Sequence, residues 1–241
     1  MNRIIRRILK GTKLITNSQY RKGLGCGVGA AIEHSDIIRA LPLKTLVDVG
    51  ANIGQFSLLV RYEHPQASIV AFEPLATPTA TYRKLFADDE KTTLHQTALG
   101  TERKHLNMHV SNRLDSSSLL EISPLQTTQF PGTEEVGRED VAVAPMTDFI
   151  KQENLIGPAL LKIDVQGFEL EVLKSAGDLL SSFQWIYVEA SFKPLYEGQA
   201  LVHEILRYLQ DQKFILKGFF NPSYDSKGLS VQADFLFIKN D

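Results

Sequence analysis

The sequence predicts a doubly wound α/β fold, because short apolar strands alternate with amphipathic helices along most of the chain. The chain has 241 residues, of which 43% are hydrophobic, so it can bury one sizeable core. Two apolar runs near the C terminus have no obvious helix between them, which indicates an antiparallel final pair. We therefore expect a seven-stranded sheet, mostly parallel with an antiparallel last strand, and helices on both faces.

The first strand and the turn after it carry the most informative motif. Thr45-Leu46-Val47 is typical of a buried strand, and the run Asp48-Val49-Gly50-Ala51-Asn52-Ile53-Gly54 joins it to a helix whose apolar face begins at Phe56. A strand that turns into a helix through glycines is where α/β proteins bind nucleotide-like ligands. Gly50 permits the sharp turn, and Gly54 permits close packing of the helix on strand and ligand.

The spacing of this motif indicates which ligand it suits. The G-x-G-x-x-G pattern of a pyrophosphate site is absent, and Asp48 places an acid at the strand end, which suits a cationic group. S-adenosylmethionine, with its sulfonium and ammonium groups, fits both observations. The predicted cofactor contacts in this turn are Asp48, Gly50, Ala51, Asn52 and Gly54.

The second strand repeats the signal. Ser68–Phe72 predicts a strand that ends in Glu73, about 20 residues past the last glycine. A carboxylate in that place can accept hydrogen bonds from both ribose hydroxyls. Glu73 is therefore predicted to orient the adenosine of the cofactor.

The remaining elements follow in order from turn residues and periodicity. Thr77-Pro78 indicates a helix start, alternation indicates a solvent-facing antiparallel pair, and Gly167 and Gly177 bound a helix. The predicted elements after Glu73 are a helix (77–87), a strand (92–100), the pair (106–110 with 141–144), a short helix (147–150), a buried strand (160–165), a helix (168–174), a strand (184–188), a helix (201–209) and two closing strands (214–216 and 235–238).

One long segment shows no periodicity. Residues 111–140 are polar and contain a single Pro-Gly pair. A loop of that length in a compact domain is usually functional or disordered. We expect it to form a lid over the methyl acceptor.

Charge and cysteine content limit the partners. The net charge is −2, so no global basic field favours nucleic acid, and the single Cys26 fits a reducing, cytoplasmic compartment. The first 32 residues hold seven Lys or Arg and no acid, and Ile4, Ile5, Ile8 and Leu9 share one helical face. Residues 1–40 are thus predicted to be a basic helical extension, which either packs at the edge of the domain or contacts the inner face of an anionic membrane. Residues 41–241 form the predicted catalytic domain.

Several stretches together resemble one family. The glycine motif with Glu73-Pro74 is similar to class I S-adenosylmethionine-dependent methyltransferases, and three further runs narrow the resemblance to the FkbM family: Asp115–Leu119, Leu161–Leu173, and Val188–Phe192 with Leu195–Gln199. The resemblance spans roughly residues 40 to 238 and implies O-methylation of a hydroxyl on a sugar, glycan or related natural product. Gln166 departs from the family, since many members carry glutamate there.

Methyl transfer to an alcohol requires alignment of the acceptor and removal of its proton, and a positioned base contributes about 10²–10⁴-fold. Asp164 ends the strand expected beside the first one, so it is the first candidate for the base. Glu189 ends the following strand and is the second. Glu169 is predicted either to orient the acceptor or to stabilise the start of its helix. Ala98, at the end of the third strand, and Ser116, in a serine run, are the remaining predicted cofactor contacts.

Two other functions share parts of this pattern. A nicotinamide-dependent oxidoreductase has the same first half, but the middle glycine and a Tyr-x-x-x-Lys pair are missing. A non-catalytic module could keep the fold, although intact Asp48, Gly50, Glu73 and Asp164 argue against it. No histidine pair has metal-ligand spacing, so no catalytic metal is expected. The acceptor and the oligomeric state are not specified by the sequence.

Overall fold

The computed structural model describes residues 18–240. Its α-helices are α1 (Ser18–Gly25), α2 (Ser35–Ala40), α3 (Gln55–Glu63), α4 (Ala76–Leu85), α5 (Pro124–Gln129), α6 (Glu169–Ser175) and α7 (Val202–Asp211). Its strands are β1 (Thr45–Val49), β2 (Ser68–Phe72), β3 (Thr92–His95), β4 (Ala98–Leu99), β5 (Lys104–Ser111), β6 (Glu135–Ala144), β7 (Ala159–Ile163), β8 (Trp185–Ser191), β9 (Phe214–Tyr224) and β10 (Ser230–Lys239).

Seven strands form the main sheet in the order β3-β2-β1-β7-β8-β10-β9. The five strands from β3 to β8 are parallel, whereas β10 runs antiparallel to both β8 and β9. The last strand of the chain is therefore the antiparallel one. This topology confirms the predicted fold class.

Both faces of the sheet are buried under helices. On one face, Val47 and Leu161 share an apolar cluster with residues of α6 and α7, including Val172 and Leu209. On the other face, Leu46 belongs to a cluster that includes Ile38, Phe56 and Leu59 from α2 and α3. Successive side chains of a strand point to opposite faces, which explains why β1 and β7 read as continuous apolar runs.

A second, three-stranded sheet has the order β4-β6-β5. It contains the predicted antiparallel pair, with Leu106 opposite Val141. The predicted strand over 92–100 is wrong in its extent, because β3 ends at His95 and Ala98–Leu99 pair with β6 instead. The Thr97 hydroxyl donates to the Ala142 carbonyl at 3.0 Å, which directs the chain into the second sheet.

The segment from 111 to 140 is more structured than its composition predicts. It contains α5, which Ser123 caps by accepting a hydrogen bond from the Gln126 amide, and it ends inside β6. Elsewhere, α4 begins at Ala76 and Thr77 is not its cap, while the short helix near 147–150 is a single 3₁₀ turn, Met146–Asp148.

Only part of the predicted N-terminal extension, residues 1–40, can be compared with the structure. The basic helical face at positions 4–9 lies outside the described residues. Within them, α1 packs on α3, because Tyr20 and Leu58 belong to one apolar cluster. In the part from 18 to 240, no helix is both long and apolar enough to cross a membrane.

Candidate active site

A cavity of about 490 Å³ opens at the carboxyl ends of the parallel strands. The β1–α3 turn and the end of β2 form one half of its lining, and the ends of β7 and β8 form the other. This is the edge at which open α/β sheets bind their ligands. β1 lies between β2 and β7 in the sheet, so the two predicted halves of the site meet at its end.

The glycines of the turn have different tasks. Gly50 has φ +74°, and a Cβ there would lie 1.8 Å from the Asp164 carbonyl oxygen, so only glycine lets the β1 turn approach the end of β7. Gly54 has φ +98° and precedes α3. A Cβ at Gly54 would meet Tyr82, Leu85 and Phe86 at 3.0–3.2 Å. Gly54 therefore serves helix packing and, unlike Gly50, does not line the cavity.

Asp48 is not a direct ligand contact, which corrects its predicted role. Its side chain is fully buried and does not line the cavity. Its carboxylate lies 3.2 Å from Lys162 Nζ and accepts a 2.7 Å hydrogen bond from the Ser57 hydroxyl. The cation that this acid faces is the protein's own lysine.

Glu73 lines the cavity as predicted. One carboxylate oxygen accepts the Asn52 amide and the other accepts the Leu75 amide, both at 2.9 Å. Burial raises the pKa of Glu73 to about 7, and these two hydrogen bonds act in the opposite direction. Each carboxylate oxygen keeps a lone pair for another donor, so a diol can bind to it.

Four more predicted contacts can be compared with the cavity. Ala51, Asn52 and Ala98 line it, whereas Ser116 does not. The Ser116 carbonyl instead accepts a hydrogen bond from the Tyr196 hydroxyl at 3.0 Å. The residues on either side of Ser116, Asp115 and Ser117, do line the cavity.

Asp164 and Glu189 lie on either side of one amide group. Gln166 Nε2 donates to Asp164 Oδ1 at 2.7 Å and to Glu189 Oε2 at 2.9 Å. The Gln166 amide oxygen accepts the Tyr196 hydroxyl at 2.8 Å, which fixes the orientation of the amide. The Gln166 carbonyl also accepts the Ser118 hydroxyl at 2.6 Å. The two predicted bases are therefore neighbours in one network.

The two carboxyl groups differ in environment. The Asp164 side chain is 39% exposed, and its Oδ2 lies 3.9 Å from Lys162 Nζ. Glu189 is held by a second amide donor, Gln232 Nε2 at 2.8 Å. Burial and the nearby Asp164 raise the pKa of Glu189 well above its usual range. Burial thus disfavours the ionised form of Glu189, whereas Asp164 is open to the cavity.

Glu169 does not line the cavity, so its predicted contact with the acceptor is wrong. Its Oε1 accepts the Gly167 amide at 2.9 Å and the Val165 amide at 3.3 Å. Burial raises the pKa of Glu169 to about 7. Its role is the other one predicted, since it holds the turn that precedes α6.

The cavity residues that escaped prediction include His34, Tyr187, Asn221 and Asp234. His34 lies in a 3₁₀ turn before α2, and Asn221 and Asp234 lie in the final hairpin, far from the recognisable motifs. The one available signal is Asp234, an acid directly before the apolar run at 235–238. Among residues 18–240, no group of three or more His, Cys, Asp or Glu is arranged to hold a metal ion.

Comparison with known proteins gives concordant matches. Residues 48–216 match the family model described as the methyltransferase FkbM domain. The chain is 25% identical over 215 residues to the 2-O-methyltransferase NoeI of Sinorhizobium fredii, covering 84% of this chain and 88% of that protein. It is 26% identical over 199 residues to the 31-O-demethyl-FK506 methyltransferase FkbM of Streptomyces tacrolimicus, covering 72% and 73% of the two chains.

Solved structures with a similar fold include the precorrin-6y C5,15-methyltransferase of Geobacter metallireducens. Its TM-score is 0.48 at 9% identity, and the superposition covers 86% of this chain and 88% of that one.

Proposed function

Because the chain belongs to the FkbM methyltransferase family, we propose that it uses S-adenosylmethionine to methylate a hydroxyl of a sugar, glycan or related natural product. The observation that carries the proposal is a single cavity with a diol-binding acid, Glu73, in one half and an accessible carboxylate, Asp164, in the other. The relatives named as O-methyltransferases support an oxygen acceptor.

The residues of the first half fit the cofactor. Gly50, Ala51 and Asn52 present backbone to the cavity, and Glu73 offers two carboxylate oxygens to the ribose hydroxyls. Ala98 also lines the cavity, and its small side chain leaves room for a flat ring. The cofactor would supply an electrophilic methyl group on a positively charged sulfur.

The second half fits an acceptor that must lose a proton. Asp164 Oδ2 accepts no hydrogen bond from residues 18–240, and the side chain is 39% exposed, so an acceptor hydroxyl can reach it. Both carboxyl oxygens of Glu189 already accept a hydrogen bond from an amide, so Glu189 is less available to take a proton. We therefore assign proton removal to Asp164, with Gln166 as the residue that positions it.

The domain and lid assignments complete the proposal. Residues 41–241 would form the catalytic domain, and residues 1–40 the extension. Within the predicted lid, Ser118 is hydrogen-bonded to the Gln166 carbonyl, and Asp115 and Ser117 line the cavity. These contacts support a cover over the acceptor that is linked to the base.

The test is a methyl-transfer assay with radiolabelled S-adenosylmethionine on glycan and lipid extracts of the host. We expect label in a hydroxyl-bearing fraction, and loss of that label with Asp164→Asn. Thermal stabilisation by S-adenosylhomocysteine, and none by NADH, should accompany it. Stabilisation by NADH alone would instead favour a dehydrogenase, and cofactor binding with no transfer to any fraction would favour a non-catalytic module.

A further inference from the structure

Four polar cavity residues, Glu33 among them, come from outside the stretch that matches the family, and the other three lie in one hydrogen-bonded group. His34 precedes residue 48, and Asn221 and Asp234 follow residue 216, yet all three line the same cavity as Asp164. Asp234 lies directly opposite Glu189 in the antiparallel pairing of β10 with β8. The final hairpin thus brings Asn221 and Asp234 to the same cavity as His34, Asp164 and Glu189.

We infer that His34, Asn221 and Asp234 form a subsite that binds a neutral, hydroxyl-bearing ring of the acceptor, such as a sugar. We call this group the hydroxyl subsite. The inference rests on the proposed function, because the ring it holds is the one whose hydroxyl is methylated. The inference goes beyond the proposed function in two respects: it states that the acceptor ring is uncharged, and it names the residues that select such a ring.

Hydrogen bonds within the subsite fix what each group can offer. Asn221 Nδ2 donates to Asp234 Oδ2 at 2.9 Å and lies 3.2 Å from His34 Nδ1, which also lies 2.9 Å from the Tyr187 hydroxyl. Because an amide NH₂ can only donate, Nδ1 is the accepting nitrogen and the ring proton is on Nε2. Burial lowers the pKa of His34, which agrees with a neutral ring.

The subsite therefore presents one free donor next to acceptors. His34 Nε2 makes no hydrogen bond to residues 18–240, and it belongs to a ring that lines the cavity. Asp234 accepts from Asn221 and has further acceptor capacity. A hydroxyl group can accept from the first and donate to the second. Adjacent hydroxyls on a sugar ring match this combination.

The charges around the subsite argue against an ionised acceptor. No arginine among the described residues lines the cavity, and its lysine, Lys162, is paired with Asp48. A carboxylate or phosphate would find no free cation and would face acidic groups. Burial raises the pKa of Asp234, which disfavours its ionised form and so weakens its attraction for a cationic amine. A neutral ring suits both conditions.

Binding of three matched sugars tests the inference separately from catalysis. Saturation-transfer NMR would be recorded on the full chain with S-adenosylhomocysteine bound, using methyl glucoside, glucuronate and glucosamine as neutral, anionic and cationic probes. We expect transfer to methyl glucoside and at least about tenfold weaker binding of glucuronate. Equal or tighter binding of glucuronate or glucosamine would overturn the neutral preference. Absence of transfer to all three would overturn the subsite.

Two variants assign the binding to the named residues. Asp234→Asn keeps the size of the side chain, and His34→Phe keeps a ring between Phe56 and Tyr187 while removing the donor. Each should weaken methyl glucoside binding about tenfold with the calorimetric affinity for S-adenosylhomocysteine unchanged, whereas exposed Asp211→Asn should change neither.

Binding that survives in both variants would overturn the assignment. Loss of S-adenosylhomocysteine affinity as well would overturn it by showing a structural role. Neither outcome depends on methyl transfer, so a failure of the proposed function would be seen only in the labelled-methyl assay.

Discussion

Lys162, which lines the cavity, forms a buried ion pair with Asp48 behind it, with Nζ 3.2 Å from Oδ1 and side-chain exposures of 8% and 0%. The same ammonium donates to the Gly50 carbonyl at 3.0 Å. Burial opposes the charge of Lys162, but Asp48 and Asp164 raise its pKa above the usual range. One cation thus connects the cofactor turn to the carboxylate assigned as the base.

The first prediction concerns this pair. Lys162→Met should destabilise the protein by about 3–5 kcal/mol, because it leaves the buried Asp48 charge without a partner. The double variant Asp48→Asn with Lys162→Met should recover a large part of that loss. Urea unfolding measures both, with exposed Lys217→Met as the matched control. A double variant as unstable as the single one would show that the charge pair is not the cause.

The second prediction concerns Glu73 and pH. Its pKa of about 7 means that the carboxylate becomes protonated below neutral pH and then accepts fewer hydrogen bonds. The affinity for S-adenosylhomocysteine should therefore be constant above about pH 8 and fall below pH 7. Glu73→Gln should weaken binding at least about tenfold at pH 8 and abolish most of this pH dependence.

Isothermal calorimetry between pH 5.5 and 8.5 measures both effects. Gln is the informative replacement, since its oxygen can still accept an amide hydrogen of the turn, whereas Glu73→Ala removes both backbone contacts. An unchanged affinity in Glu73→Gln would remove Glu73 from the cofactor site.

The sequence contains most of the first half of the site, because local rules specify it. A glycine turn after a buried strand, and an acid at the next strand end, are properties of short segments. They located Gly50 and Glu73 correctly in the cavity. The same local rule misjudged Asp48, since its partner Lys162 is distant in the chain and adjacent only through the pairing of β1 with β7.

The second half depends on long-range packing that no local pattern encodes. Whether Glu169 faces the cavity or the backbone of its own turn is decided by the position of α6. His34 and Asp234 meet only when the final hairpin pairs with β8. Likewise, the local pattern places Ala98 at the end of the third strand, whereas its pairing with β6 puts it in a second sheet.

The third prediction separates the two candidate bases. Asp164→Asn should lower kcat about 10²-fold or more while the affinity for S-adenosylhomocysteine changes by less than about tenfold. Glu189→Gln should lower kcat less than about tenfold, because the Gln166 and Gln232 amides already occupy both carboxyl oxygens of Glu189. Turnover is measured with the acceptor fraction found by the labelled-methyl assay. The opposite ranking would make Glu189 the base. Full activity of both variants would mean that the enzyme relies on alignment of the acceptor with the methyl group and uses no base.

The fourth prediction concerns the segment between residues 111 and 134. If it covers the acceptor, its amide hydrogen exchange should be faster than that of β1 and β7 and should slow when S-adenosylhomocysteine and acceptor are both present. Ser118→Ala should reduce this slowing, because it removes the hydrogen bond to the Gln166 carbonyl. Exchange as slow as in the central strands without any ligand would exclude a moving lid.

The last prediction concerns the effect of the buried Glu169 carboxyl on the free energy of unfolding. Its Oε2 has no hydrogen-bond partner among residues 18–240, and burial raises its pKa to about 7 from an ordinary 4.5. Between these values the folded protein holds a proton that the unfolded chain releases, so stability falls as pH rises from 4.5 to 7. Glu169→Gln can keep an acceptor for the Val165 and Gly167 amides and carries no charge.

The variant should therefore match the parent protein at pH 5 and exceed its stability above pH 7, by up to about 3 kcal/mol at pH 8. Urea unfolding at both pH values measures this difference, with exposed Glu197→Gln as the control. Because the Glu73 carboxyl is present in both proteins, its own titration cancels in the comparison. A variant that is less stable than the parent at pH 8 would mean that the ionised carboxylate holds the turn better than a neutral amide does.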